Sequence, residues 1–314
     1  MNPKWLADTL DDNLEIGRLM TPPEPRYLLP HWGLGLCLCC LLAVSLLGHG
    51  DAHDLIRTVS EQLREHPRDS DLYYQRGELY RRHGDFDLAL ADYERAARYS
   101  TNTPMLDLSR GLLLVDAKWP QTAKVYLDRF LARETNHVVA LVTRAKAQLQ
   151  LQNRDAAVFD YTLAIQASRE PRPELFIERA QALITDDGGR LDEAIQGLDE
   201  GIRRLGSVIT LQLYAIDLEL KRRQTNAALG RLDGIIAQSP RKETWQARRG
   251  EILQQAGRRQ EARAAFITAL GELGKLPPAR RNVPALQELE RRIRSAITNL
   301  EEAVPLQSVP GAAR

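Results

Sequence analysis

The side chains able to ligate metal or move protons are few and scattered. Histidines stand at positions 31, 49, 53, 66, 83 and 137, and Cys37, Cys39 and Cys40 are the chain's three cysteines. All three cysteines fall inside one uncharged run, Leu34 to Leu47, so nothing downstream can form a disulfide or a cysteine zinc site. His66, His83 and His137 sit where turns are expected, which is ordinary for surface imidazoles. Asp186-Asp187-Gly188-Gly189 resembles the start of a calcium loop but lacks acidic ligands at the later intervals, so it reads as an insertion between helices. One arrangement could hold a metal. Cleavage after Gly50 would leave Asp51-Ala52-His53 as a terminus whose amine, two amide nitrogens and imidazole form the square-planar set that Cu(II) or Ni(II) prefers. No GxGxxG, Walker-type loop, HExxH or GxSxG occurs. The chain is therefore read as non-catalytic, with no cofactor and no metal site beyond that weak option at His53.

Composition narrows the partners. The 43 basic residues nearly balance the 42 acidic ones, so no excess positive charge is available for a phosphate backbone, and aromatics are only 6%. Nucleic acid is thereby excluded as the expected partner. At 43% apolar and 27% charged, the bulk of the 314 residues can bury a core.

The first fifty residues look like an address. Leu34 to Leu47 has the length of a signal-peptide hydrophobic core and is short for a spanning helix, which needs roughly 20 apolar residues. Arg26 supplies positive charge before it, and Gly48-His49-Gly50 or Gly50-Asp51-Ala52 offers small residues at a cleavage site. The segment ahead of the apolar run is long counted from Met1 and ordinary counted from Met20. Residues 1–50 are thus expected to be a signal peptide or membrane anchor with an N-terminal extension. The rest would be exported, periplasmic or anchored at the inner membrane, touching the membrane only through that segment.

The elements that position everything else repeat. Ala89, Ala123, Ala157, Ala194, Ala228 and Ala262 are separated by 34, 34, 37, 34 and 34 residues. Four residues after each comes Tyr93, Leu127, Tyr161, Leu198, Leu232 or Phe266, and the apolar pattern continues at seven and eight, which is one face of a helix. Twelve residues before the alanine stands a small residue: Gly77, Gly111, Ala145 and Gly250, with Ala180 joining them if the 186–189 stretch carries a two-residue insertion. The fifth unit places Ile216 there and departs from the pattern. Each unit then reads as two antiparallel helices that cross closely at their small residues.

Ser70 to Thr103, with Tyr73, Gly77, Tyr80, Gly84, Phe86, Ala89, Tyr93 and Ala96 at the signature sites, closely resembles a tetratricopeptide repeat. Glu243 to Ala269 is nearly as close, and the resemblance extends over 70–271. It implies an all-α, right-handed superhelical solenoid of antiparallel helix pairs, about six repeats long. The flanks fit such an array: residues 51–69 make an N-terminal half-repeat with Leu55, Val59 and Leu63, and 272–302 supply a linker and a capping helix. That cap carries a stripe of Leu286, Leu289, Ile293, Ala296 and Ile297, and 303–314 is a flexible tail.

The resemblance also implies a function: a scaffold that binds a segment of a protein partner in the concave groove lined by the first helix of each pair. Its inward sites correspond here to Tyr74, Glu78 and Arg81, then Leu108 and Leu112, Val142 and Lys146, Ile177 and Gln181, and Leu213 and Asp217. The groove would be apolar in its middle and charged at its mouths. A tightly wound array could instead bury the same residues. A different class of reading is an envelope handler of glycan, lipid, or Cu/Ni at Asp51-Ala52-His53.

Overall fold

A computed structural model of the chain describes residues 40–100, 103–185 and 189–302. Residues 1–39, with Cys37, Cys39 and the first part of the apolar run, Asp186 to Gly188 and the tail from 303 lie outside the described residues. Two compact units are distinguished, Met1–Asp51 and Ala52–Arg314. In the first, α1 (Cys40–Glu65) begins. No helix among the described residues is long and apolar enough to cross a membrane.

The second unit is all-helical. Six pairs follow in order: α2 (Ser70–His83) with α3 (Phe86–Tyr99), α4 (Thr103–Asp116) with α5 (Pro120–Leu131), and α6 (Val138–Gln150) with α7 (Arg154–Ala167). Next come α8 (Pro173–Leu183) with α9 (Leu191–Leu205), α10 (Ile209–Lys221) with α11 (Thr225–Gln238), and α12 (Glu243–Gln255) with α13 (Arg259–Gly274). A short α14 (Pro278–Arg281) and the long α15 (Pro284–Glu302) close the chain.

Local sequence explains where these helices start and stop. The Asp69 carboxylate accepts the Asp71 and Leu72 amides at 2.9 and 3.1 Å, capping α2, while Pro120 and Pro173 occupy first turns, where a missing N–H costs nothing. The turn inside each pair uses one left-handed residue. Gly84, Lys118, Gln152, Gly189, Arg223 and Gly257 all have φ between 51° and 93°, each five residues before the repeat alanine. Three of the six are not glycine, so the turn is imposed by the packing of the two helices as well as by the residue.

The repeat alanines are fully buried, as are Ala145 and Ala180, and Gly77, Gly111 and Gly250 pack beneath Tyr93, Leu127 and Phe266 of the second helix. A methyl on Gly111 would sit 2.6 Å from Leu127, and one on Gly250 would sit 2.6 Å from Phe266. This is why the site takes only small residues in these units. In the fifth unit, Ile216 is buried there instead, within the second apolar cluster.

One apolar core runs from Ala89 to the α10 residues Leu211, Ala215 and Leu218. Leu213 and Ile216 of the same helix begin a second core that extends to Ile293 and Leu300 of α15. The stripe Leu286, Leu289, Ala296 and Ile297 packs on that core, and α15 lies against α13, closing the end of the array. At the other end Val59 and Leu63 are buried, whereas Leu55 is half exposed, so only two of the three α1 residues expected to pack do so.

Arginines tie the second helices together. Immediately before each small residue stands Arg76, Arg110, Arg144, Arg179 or Arg249. Arg76 grips buried Asp92 of α3 through two bonds of 2.6 and 2.9 Å and reaches Ser60 of α1 at 3.0 Å. Arg144 repeats this one layer on, holding Asp160 of α7 at 2.8 and 2.6 Å and Asp128 of α5 at 2.9 Å. Both partners lie sixteen residues away in sequence, one on each side. Arg249 keeps only the earlier partner, Asp233 at 2.5 Å.

Candidate functional site

The first helices of adjacent pairs pack directly on one another at α2–α4, α4–α6 and α8–α10. The second helices of adjacent pairs show no comparable packing on one another, so the first helices share one side of the array, the side expected to be its inner face. Of the residues expected to line that face, Tyr74, Glu78, Arg81, Leu112, Ile177 and Asp217 are partly exposed, and Lys146 and Gln181 are exposed. Leu108, Val142 and Leu213 are not on the surface: each is buried between helices. The apolar middle of the expected groove is therefore largely consumed by packing. Adjacent first helices approach too closely to leave those three side chains free.

What remains accessible is a row of polar rungs. In the first unit Glu78 accepts from Tyr93 Oη at 2.5 Å and from Arg81 at 3.1 Å, and Arg81 also reaches Asp116 of the next unit at 3.0 Å. Ser109 donates to the Tyr74 hydroxyl at 3.3 Å. Farther along, each inward residue meets the next first helix: Lys146 pairs with Glu178 at 3.4 Å, and Asp217 with Arg248 at 3.6 Å. Gln181 lies beside Tyr214, and Glu251 meets Arg292 of α15 at 2.7 Å.

The electrostatics follow from burial. Tyr93 and Tyr161 are pushed well above the ordinary phenol range, mainly by burial and then by the adjacent Glu78 and Glu178 carboxylates. Burial likewise raises Tyr214 to about 12, with Asp217 adding to it. The Asp217 carboxyl rises to about 6 because burial outweighs the pull of Arg248 and Lys221.

The far member of each rung escapes a reading by inward positions alone. Glu178, Tyr214 and Arg248 each lie three residues before Gln181, Asp217 and Glu251. That spacing puts them on the same helical face, and this was the available signal. No grouping of three or more His, Cys, Asp or Glu among the described residues could hold a metal ion. His53 lies inside α1, its ring edge-on to His83 at 4.6 Å, and His83 contacts Asp85 at 2.8 Å.

Paired helices stacked in series on two successive apolar cores, with a polar inner face, define a helical-repeat solenoid. The tetratricopeptide repeat family model matches residues 70–102, which span the first pair, and the pairs that follow form a solenoid of the same helix-pair type. The C-terminal part of a tetratricopeptide repeat-containing protein from Cytophaga hutchinsonii is similar over 83% of this chain and 95% of its own, at 13% identity and a TM-score of 0.51. That likeness concerns the fold. A tetratricopeptide repeat protein from Parabacteroides merdae aligns over 80% of this chain and 95% of its own, with 18% identity and a TM-score of 0.48. No curated protein matches the sequence.

Proposed function

We propose that the protein is a non-catalytic scaffold of the cell envelope that holds a segment of a partner protein along its inner face. The observation that carries this reading is the row of accessible rungs Glu78–Arg81, Lys146–Glu178, Gln181–Tyr214 and Asp217–Arg248. Each rung offers both a donor and an acceptor beside partly exposed Leu112 and Ile177. An extended or helical segment could exchange hydrogen bonds with successive rungs while its apolar side chains meet the two aliphatics. The envelope assignment is supported by the uncharged Leu34–Leu47 run and by a body without cysteine after Cys40.

Photocrosslinking tests the inner face. A benzoylphenylalanine at Leu112 or Gln181 should trap a discrete protein adduct in cells, while the same probe at Gln196, exposed on α9, should not. Equal adducts at both faces, or none at the inner positions, would refute the groove reading. Alkaline phosphatase fused after Glu65 reports location: activity requires export, and an inactive, stable fusion refutes the envelope assignment.

A further inference from the structure

A second surface lies outside the inner face, at the edge formed by the turns within each helix pair. Along most of this edge the residue preceding the second helix is polar: Asp85, Asn153, Arg190, Gln224 and Arg258. In the later units these edges are joined to one another. Arg190 reaches Asp155 of the preceding unit, Arg222 reaches Asp192 at 2.7 Å, and Arg258 reaches Asn226 at 2.7 Å. Between the first two units the chemistry changes. The residue before α5 is Trp119, 54% exposed, and the α3 residue beside it in the pocket is Leu88, 50% exposed.

Together with Phe86, Leu90, Leu113 and Leu114 they line an open pocket of about 430 Å³. Asp85 and Asp87 are the charged residues of the lining, and no cationic side chain contributes to it. Asp85 meets His83, whereas Asp87 has no ion-pair partner among the described residues.

The fold does not require this apolarity. Asn153 stands one unit later where Trp119 does, each four residues before its repeat alanine, and Thr122 stands where Leu88 does, each one residue before its repeat alanine. A half-exposed tryptophan is costly to display in water and is the side chain most enriched where binding energy concentrates. The two carboxylates select the sign of what arrives. They disfavour nucleic acid and anionic lipid, and they favour a positive neighbour to the apolar anchor.

We propose that this pocket docks a short segment of a partner protein in which a bulky apolar residue is adjacent to Lys or Arg. The apolar anchor fills the space between Trp119 and Leu88, and the cation pairs with Asp87. The contact is separate from the inner face, so one partner could span both surfaces or two could bind at once.

The test pans a phage-displayed random dodecapeptide library on the full chain, with Trp119→Asn as the counter-selected variant. Asn153 occupies the corresponding site, so the variant should keep the wild-type circular dichroism spectrum and melting temperature. Winning peptides should carry an apolar residue beside Lys or Arg. Measured by fluorescence anisotropy, their affinity should fall about tenfold or more in Trp119→Asn and in Leu88→Thr. Asp87→Asn should weaken them several-fold at low salt, with that difference lost near 0.5 M salt. Winners that lack a basic residue, or that bind Trp119→Asn as well as wild type, overturn the proposal. A dimer in sedimentation equilibrium that Trp119→Asn abolishes also overturns it, by assigning the face to a second copy. So does a Trp119 shielded from acrylamide in the intact chain carrying Phe at Trp5, Trp32 and Trp245, because the protein's own residues would then cover the pocket.

Discussion

Replacing Arg144 with methionine isolates the arginine tie between the second and third units. The side chain makes two bonds to Asp160, which is 2% exposed, and one to Asp128, whose side chain is 40% exposed. Methionine retains most of the aliphatic stem, so packing loss is small. Losing the exposed Asp128 link costs about 0.2–1 kcal/mol. Leaving the Asp160 carboxylate buried without its partner costs about 3–5 kcal/mol. The second effect decides the outcome, and the single variant should lose roughly 4 kcal/mol at neutral pH. The double variant Arg144→Met/Asp160→Leu removes the stranded charge and should return to within about 1 kcal/mol of wild type. Urea unfolding followed by circular dichroism measures both, and hydrogen exchange should place the loss in α5 to α7, because coupling in such arrays is between neighbours. A single variant that loses less than about 1 kcal/mol, or a double variant as unstable as the single, would show that the tie is a surface ion pair and refute this reasoning.

Asp217→Asn should change how stability depends on pH. Its carboxyl is raised from 3.8 to about 6, so across that interval the folded chain keeps a proton that the unfolded chain has released. Native stability contributed by this group therefore falls as pH rises through the interval and is lowest above it. Melting temperatures of wild type minus variant should decline between pH 4 and pH 7, and parallel curves would contradict the assignment. Gln152→Gly should stabilise the third unit by up to about 1 kcal/mol, because Gln152 holds φ at 63° and a left-handed side-chain residue costs about 1–2 kcal/mol, partly offset by the entropy of glycine when unfolded. Denaturant midpoints check this, and a destabilised variant would show that the Gln152 side chain contributes more than its backbone costs.

The sequence alone determined the array. Alanines at a fixed interval, each with a large apolar residue four places later, can bury a continuous face only as helix pairs, and the boundaries follow from Pro, Gly and Asp at the turns. The left-handed residue of the fourth unit, Gly189, keeps its distance of five from Ala194, so the extra residues of that unit precede the turn residue. The arginine before each small residue was present at the same interval, and its meaning required three dimensions. A guanidinium acts on whatever lies sixteen residues to either side only once the helices stack. Tertiary structure likewise decided which inward positions reach solvent. Leu108, Val142 and Leu213 share a helical face with Leu112, Lys146 and Asp217, and helical periodicity cannot separate them. The spacing between adjacent first helices does: where the backbones approach closely an aliphatic side chain is taken into the core, and where a polar partner stands on the next helix the side chain stays at the surface as half of a rung. The pocket at Trp119 arose the same way, from two turns that lie 34 residues apart in the chain and side by side in the fold.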